Sequence, residues 1–168
     1  SKPVLYICNV SEEDANTGNK HSKLVQDIAN KEDAVSIIIS AKIESEISQL
    51  QQEEKNEYLV ELGLEQSGLE QVIQSGYKLL NLITYFTSGV QESRAWTVPK
   101  GSSAPRAARE IHTDFEKGFI RAETISYNDF IANDGWVNSK TNGKMRLEGK
   151  DYIVQDGDIL NFRFNTWP

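Results

Sequence analysis

The stretch VLYICNVSEED, residues 4–14, is a short apolar run that leads directly into polar and acidic residues. A second apolar run, AVSIIIS at residues 34–40, follows a segment in which Leu24, Val25 and Ile28 recur at helical spacing. Runs of this kind are typical of interior strands of parallel sheets, which are buried on both faces. The order strand, helix, strand therefore predicts a βαβ crossover, which is too little sheet to stand alone.

We assign this crossover, residues 1–45, to the end of an α/β domain. The acidic stretch at residues 46–84 is predicted to form a helical connector, in which Ser67 is placed to cap a helix. Residues 85–168 follow as strand, helix and three strands, with Pro105 in the first helical turn. That order predicts a β-grasp, ubiquitin-like domain, so that the chain combines the α/β and α+β fold classes.

The composition is that of a folded protein without an internal disulfide framework. The 168 residues are 38% hydrophobic and contain one cysteine, Cys8, which is expected to be a small buried side chain. No apolar stretch approaches the roughly 18 residues of a membrane span, and the chain does not open with a basic and then apolar signal. We therefore expect a soluble, cytoplasmic protein without a membrane partner.

The net charge of −7 lies entirely in the first half of the chain. Residues 1–90 contain 7 basic and 14 acidic side chains, whereas residues 91–168 contain 11 of each. Such asymmetry indicates two units with different surroundings. An acidic total argues against indiscriminate DNA binding, and we expect no specific DNA partner, but a local basic patch on the neutral half is possible.

Polar residues follow both predicted strands, where ligand sites form in open α/β sheets. Asn9 follows the first strand, with Glu12 three residues later, and Ser40 and Ala41 follow the second strand. An Asn side chain carries both a donor and an acceptor, which suits the edge of a purine. Asn and Glu are also common turn formers at strand exits, so that the residues alone leave a base site and a structural turn both open.

The segments NVSE at residues 9–12 and SAK at residues 40–42 resemble the base-recognition segments of the YchF family, the Obg-like P-loop ATPases. Residues 85–130 and 147–164 closely resemble the TGS domain of that family. The resemblance extends over residues 3–164. It implies that the chain is the C-terminal part of a longer protein, with the last βαβ of a G-type nucleotide-binding domain, a helical connector and a TGS domain.

The family carries N-x-x-E where GTPases carry N-K-x-D, which implies a preference for adenine over guanine. By this resemblance Asn9 would contact the adenine edge, Val10 would offer backbone beside the base, and Glu12 would take the place of the GTPase Asp. Ser40 and Ala41 would close the pocket with backbone N–H groups.

The resemblance also implies that the complete protein uses ATP and Mg²⁺, hydrolyses ATP, and associates with the ribosome, either its large subunit or the whole particle. This chain contains no G-x-x-x-x-G-K-[ST] and no D-x-x-G segment. It therefore has no backbone nest and no Lys for the phosphates, around which phosphoryl transfer is organised. We expect the chain by itself to be non-catalytic and to hold no cofactor.

Basic residues of the second half are candidates for RNA or ribosome contact, because Arg106 and Arg109 share one helix face. The full candidate set is Lys100, Arg106, Arg109, Lys117 and Arg121. Trp96, in a strand predicted at residues 90–98, and Trp136 offer either stacking or core packing. A merely solvated charged face is the alternative reading, and the TGS resemblance favours RNA or ribosome contact at the level of a module.

The two histidines are not assigned to chemistry. His112 and Asp114 lie two residues apart near a predicted helix end, without a nucleophile nearby. We interpret His112 as a residue that caps carbonyls or packs against the sheet, and His21 as part of a polar loop. No catalytic residue and no metal ligand is predicted in this chain.

Two functions from different classes follow from the sequence. The first is the C-terminal part of a ribosome-associated, ATP-binding and ATP-hydrolysing Obg-like protein. The second is a stand-alone β-grasp interaction module that binds a protein or RNA partner without nucleotide chemistry. A P-loop and a D-x-x-G upstream of this segment would separate the first function from the second.

Overall fold

A computed structural model describes residues 2–165, which divide into two compact units, one up to Leu80 and one from Asn81 onward. The predicted outer limits of the domains, residues 1 and 168, lie outside the described residues. Within the described range, no helix is long and apolar enough to span a membrane.

The first unit is built on a pair of parallel strands joined by a crossover helix. Its elements are β1 (Leu5–Asn9), a 3₁₀ turn (Glu12–Asp14), α1 (Lys20–Lys31), β2 (Val35–Ile39), α2 (Ala41–Ile47), α3 (Gln52–Glu61) and α4 (Gly68–Leu79). β1 pairs with β2 in parallel, and α1 lies between them in the chain, so that the predicted βαβ crossover is confirmed. Helices α2 and α3 bury Ile43, Ile47 and Leu59 in a small core.

The strands of the first unit are less buried than predicted. Ile7 of β1 and Val35 of β2 are 47% and 42% exposed. Among the described residues this sheet has only two strands, so that the outer edge of each strand has no neighbour. The prediction of strands buried on both faces is therefore wrong, because the described residues leave part of these faces uncovered.

Helix α1 begins inside the segment that was expected to be a loop, because Asn19 caps it. The Asn19 Oδ1 accepts hydrogen bonds from the backbone N–H groups of His21 at 3.0 Å and Ser22 at 3.1 Å. The Ser22 Oγ in turn accepts from the backbone N–H of Asn19 at 2.8 Å, which completes a capping box. His21 thus lies in the first turn of a helix, and its placement in a loop is corrected.

The second unit is a five-stranded mixed sheet with helices inserted between its strands. Its elements are β3 (Leu82–Ser88), β4 (Ser93–Pro99), α5 (Ala104–Ile111), α6 (Thr113–Lys117), β5 (Phe119–Ser126), α7 (Tyr127–Ala132), α8 (Trp136–Thr141), β6 (Arg146–Glu148) and β7 (Asp158–Phe164). The strand order is β4-β3-β7-β5-β6, with β3 and β7 parallel and all other neighbours antiparallel. This is the β-grasp arrangement expected from the sequence.

Helix α5 packs on one face of that sheet, which we call the core face. Ala104, Ala107 and Ala108 are fully buried there, as their spacing predicts, and Pro105 lies in the first turn. Tyr85 of β3 is also fully buried, and its hydroxyl donates to the carbonyl of Ala107 at 2.8 Å. Small side chains on α5 therefore allow the helix to approach the strands closely.

One strand of the β-grasp was missed. β3 begins at Leu82, so that the expected boundary between connector and β-grasp at 84/85 falls inside a strand. The strand predicted at residues 90–98 is β4, which starts only at Ser93. β3 was missed because the apolar end of α4 continues into β3 without a Gly or Pro to mark the end of the helix. The helix is ended instead by Asn81, whose φ of 52° is the left-handed conformation found at helix C-termini.

Candidate nucleotide-base site

The carboxyl ends of β1 and β2 lie side by side, because the strands are parallel with Asn9 opposite Ile39. The backbone N–H of Val10 donates to the carbonyl of Ile39 at 2.9 Å and holds the chain at the point where it leaves β1. Asn9, Val10 and Ala41 therefore meet at one edge of the sheet, where open α/β sheets bind ligands.

The Asn9 side chain connects the two strand ends. Its Oδ1 accepts a hydrogen bond from the backbone N–H of Ala41 at 2.9 Å, which leaves Nδ2 as the outward end of the amide. Asn9 is exposed, and Nδ2 has no hydrogen-bond partner within residues 2–165. The N–H of Ala41 is thus used inside the protein, which corrects the expectation that it faces a bound base.

Ser40 precedes α2 and is buried, with 3% of its surface exposed. Its Oγ has no hydrogen-bond partner in the part of the chain that the structure describes, and it does not cap α2. A buried hydroxyl without a partner is unfavourable, and a ligand atom or a further segment of protein would satisfy it.

Glu12 forms an ion pair with Lys42, which joins the 3₁₀ turn after β1 to the first turn of α2. The Lys42 side chain is 67% exposed and that of Glu12 is 31% exposed. The hydrogen bond to Glu12 raises the pKa of Lys42, and the charge of the carboxylate acts in the same direction. Lys42 is the third residue of the SAK segment, and its contact with Glu12 was not foreseen from the sequence.

A cavity of about 370 Å³ lies beside Asn9, between the end of β1 and the start of α1. Asn9 and Val10 line it together with His21 and Val25, whereas Glu12, Ser40 and Ala41 are not among its described lining residues. The structure therefore places two of the five expected base-site residues on one cavity. The other three lie along the neighbouring loop and helix start.

Glu44 is a structural residue of this region that the sequence did not reveal. Its carboxylate accepts from the backbone N–H groups of Gly68 at 2.6 Å and Leu69 at 3.2 Å. It thereby ties α2, which starts at the candidate site, to the first turn of α4. A carboxylate at a helix N-terminus is also favoured by the helix dipole.

The residues of this edge fit the base of a nucleotide and not its phosphates. Donors and acceptors for a purine are present on Asn9 and Glu12, but the chain contains no glycine-rich phosphate loop. No group of three or more His, Cys, Asp and Glu side chains within residues 2–165 is arranged to hold a metal ion.

The basic candidates of the second unit do not form one surface. Arg106 and Arg109 lie on α5, on the core side of the sheet, whereas Arg121 lies on the opposite face. Lys100 follows β4 at the end of the sheet where β7 begins, and Arg121 pairs with Arg163 at the end where β7 finishes. The expectation of a single basic patch is therefore wrong.

The two α5 arginines are also partly neutralised. Arg106 pairs with Glu110 at 2.8 Å, and Arg109 lies 3.6 Å from Glu116. Within residues 2–165, no ion pair is formed by Lys100, Lys117 or Arg121. These three residues retain the charge that a polyanion would meet.

The aromatic and histidine candidates serve structural roles. The indole N–H of Trp96 donates to Thr87 Oγ1 at 2.9 Å, and that of Trp136 donates to the carbonyl of Ser88 at 2.8 Å. His112 interrupts the predicted helix, and its Nδ1 accepts from the backbone N–H of Asp114 at 3.2 Å. His112 therefore caps the start of α6, whereas the sequence suggested that it caps carbonyls.

Comparison with known proteins gives matches over nearly the whole chain. The chain is 58% identical over 165 residues to "Ribosome-binding ATPase YchF" of Pasteurella multocida and 53% identical over 168 residues to the protein of that name in Bacillus subtilis. These alignments cover 98% and 99% of this chain but 45% and 46% of the relatives. The chain thus spans less than half the length of the curated relatives it matches.

Solved structures support the same relationship. The Schizosaccharomyces pombe YchF GTPase matches 96% of this chain with a TM-score of 0.83 and 35% identity, over 43% of that protein. A GTP binding protein from Pyrococcus horikoshii matches 97% of the chain with a TM-score of 0.65 at 20% identity, which shows a shared fold alone.

The family model YchF-GTPase_C, described as a protein of unknown function (DUF933), matches residues 82–165. That range is half of the chain and coincides with the strands and helices of the β-grasp unit from β3 to β7. The chain therefore belongs to the YchF-GTPase_C family and corresponds to the C-terminal part of YchF proteins.

Proposed function

We propose that this chain supplies the base-binding edge and the ribosome-facing β-grasp domain of a cytoplasmic, ribosome-associated YchF-type protein that binds and hydrolyses ATP. The observation that carries the proposal is the Asn9–Ala41 hydrogen bond, because it presents a fixed Nδ2 donor at the carboxyl edge of a parallel sheet. The names of the relatives, which include both "ATPase" and "GTPase", are consistent with a nucleotide at this edge.

Asn9 and Glu12 would read the purine from two sides. The Nδ2 of Asn9 donates to a ring nitrogen such as N7, which adenine and guanine share. The Glu12 carboxylate accepts from an amino group, which adenine carries at C6 where guanine carries an acceptor oxygen. Val10 supplies backbone beside the base, and Ser40 and Ala41 shape the pocket wall. This division of roles favours ATP over GTP.

The remaining parts of the nucleotide are assigned to the complete protein. We infer that the phosphates and Mg²⁺ are held outside this chain, with residues 1–45 completing a G-type domain. The helices α2 to α4 would connect that domain to the TGS domain, which then begins with β3 at Leu82 and not at residue 85. Ribosome association would involve Lys100, Lys117 and Arg121, together with the α5 pair Arg106 and Arg109.

Calorimetric titration of the full-length protein with ATP and with GTP tests the base site. We expect Asn9→Ala and Glu12→Ala each to weaken ATP binding by about tenfold, which corresponds to the loss of one hydrogen bond to the base. Asn30→Ala and Glu13→Ala are matched controls, because both side chains are exposed and lie outside the site. ATP affinities of the two site variants equal to those of the controls would remove Asn9 and Glu12 from the site.

The same titration separates the two function classes. We expect the full-length protein to bind ATP. We expect the 168-residue chain by itself not to bind it. Absence of nucleotide binding in both would favour an interaction module without nucleotide chemistry.

A further inference from the structure

An extra residue in β5 decides which side chains face the open side of the β-grasp sheet. Phe119 pairs with Phe164 and Arg121 pairs with Arg163, so that Ile120 has no partner in β7 and forms a β-bulge. Without the bulge, strict alternation would place Arg121 on the same face as Phe119, which is buried in the core. The bulge instead brings Ala122 to the core face and turns Arg121 outward.

The consequence is a pair of like charges in direct cross-strand register. Arg121 and Arg163 lie opposite each other on the open face, an arrangement that is unfavourable in a β-sheet. Arg163 is neutralised by Glu123, with Nε–Oε1 and Nη2–Oε2 distances of 3.3 Å and 3.1 Å. Arg121 is exposed and has no carboxylate partner within residues 2–165.

A cavity of about 480 Å³ adjoins this pair. It is lined by Arg121 and Arg163 together with Ile120, Phe162 and Phe164. The 48% exposed Ile120 supplies an apolar edge next to the two guanidinium groups. Arg121 presents a free planar fork of donors beside this open cavity, the group that binds a phosphate in a bidentate manner, whereas the Nε and Nη2 of Arg163 are held by Glu123 and this side chain adds a second cation next to the fork.

We propose that Arg121 and Arg163 form a phosphate-binding pair for the backbone of RNA, placed on the open face by the Ile120 bulge. This inference rests on the proposed ribosome association and names the surface and the chemistry that carry it. RNA is favoured over an acidic protein because the two arginines occupy one cross-strand position, and the adjacent phosphates of a nucleic acid match two neighbouring cations better than scattered carboxylates do.

The test compares charge-matched double variants of the full-length protein. The probes are a single-stranded 20-mer oligoribonucleotide and purified ribosomes, and the measured quantities are Kd and its dependence on salt concentration. We expect Arg121→Gln with Arg163→Gln to weaken RNA and ribosome binding by about tenfold and to reduce the salt slope by about 1.4, from two lost phosphate contacts. Arg121→Lys with Arg163→Lys keeps the charge but not the forks, and its affinity should be intermediate.

Arg94→Gln with Lys150→Gln is the control, because it removes the same charge from exposed positions elsewhere in the second unit. The single variant Arg121→Gln relieves the like-charge pair and keeps the ion pair of Arg163 with Glu123, so that we expect it to have unchanged or higher thermal stability alongside weaker RNA binding. Tight RNA binding by the Arg121 and Arg163 double variant, or an equal loss in the control, would overturn the proposal. Weaker ribosome binding with unchanged RNA binding would assign the pair to an acidic protein instead.

These experiments distinguish a wrong proposed function from a wrong phosphate-binding pair. A wild-type protein that binds neither probe would refute ribosome association, and with it the phosphate pair. The ATP titration would remain a test of the base site alone.

Discussion

At the scale of single residues, the base edge is ordered by its own hydrogen bonds. The Asn9 amide is held by Ala41, and the Glu12 carboxylate is held by Lys42. A ligand that binds there would meet an Asn side chain whose orientation is already fixed, which lowers the entropic cost of recognition. Glu12, in contrast, would have to share its carboxylate between Lys42 and such a ligand.

Gly118 allows the close approach of two backbone segments in the second unit. A Cβ atom at this position would lie 2.2 Å from the carbonyl oxygen of Asn165, which belongs to the backbone and cannot rotate away. We expect Gly118→Ala to lower the free energy of unfolding by about 1–3 kcal/mol through overpacking, measured by urea denaturation. Gly149→Ala is the control, since a Cβ there meets no described atom within 4 Å, and its effect should stay within about 0.5 kcal/mol. Equal stability of the two variants would contradict this account.

At the scale of secondary-structure elements, helix starts are set by side-chain caps. Ser67 Oγ accepts from the backbone N–H of Glu70 at 3.2 Å, and the Glu70 carboxylate accepts from the backbone N–H of Ser67 at 3.0 Å. Glu44 adds a second carboxylate to the same helix start. Four backbone donors at the start of α4 are thus satisfied from two directions, which positions α4 against β2.

The cap on α4 gives a prediction for stability and its pH dependence. We expect Ser67→Ala to cost about 1 kcal/mol, whereas Gln74→Ala, an exposed change in the same helix, should have little effect. Hydrogen bonding to Ser67 lowers the pKa of Glu70. Its contribution is therefore complete above the ordinary Glu pKa and is lost as the pH falls through the lowered pKa. Urea denaturation at neutral pH measures the cost of Ser67→Ala. Urea denaturation of Glu70→Gln at neutral and acidic pH measures the pH effect, because this change removes the carboxylate that accepts from the Ser67 backbone, and a Glu70→Gln cost that is unchanged in acid would refute it.

Elements marked by local signals could be predicted from the sequence, whereas features set by pairing could not. The apolar runs predicted β1 and β2, Ser67 predicted the start of α4, and Pro105 predicted the start of α5. The exposed fraction of the β1 side chains depends on which elements pack around the strand, and a local sequence pattern does not contain that information. The outward face of Arg121 depends on the Ile120 bulge, which exists only in the pairing of β5 with β7.

The residues of the candidate base site could be predicted from the sequence, but their contacts could not. Asn9, Glu12, Ser40 and Ala41 could be selected because they lie at the exits of adjacent strands, and Val10 was added through the resemblance of NVSE to the base-recognition segment of the YchF family. That the N–H of Ala41 is used by Asn9, and that Lys42 holds Glu12, follows from side-chain geometry that the spacing does not fix.

At the scale of the whole molecule, the two units differ in how completely they bury their apolar residues. The second unit encloses Tyr85, Val98 and Leu160 with exposures of 1% or less. The first unit leaves Leu24 at 60% and Ile28 at 47% exposure. An incompletely covered sheet has little cooperative stability of its own.

We therefore expect the two units to behave differently when separated. A fragment of residues 81–168 should unfold in a single cooperative thermal transition, followed by circular dichroism. A fragment of residues 1–80 should show no such transition and should bind a dye that reports exposed apolar surface. A cooperative transition in the first fragment would show that its two-stranded sheet is sufficient.

The position of β7 has a consequence for how this protein is made. β7 is the last strand along the described chain, yet it lies in the middle of the sheet between β3 and β5. During translation β3 and β5 emerge first, and the strand that joins them follows roughly 30 residues later, a delay on the order of seconds. Both strands expose unpaired edges to the crowded surface of the translating ribosome over that interval. The sheet of the β-grasp can therefore close only after β7 has been synthesised, and a nascent chain that stops before residue 158 leaves the sheet in two halves.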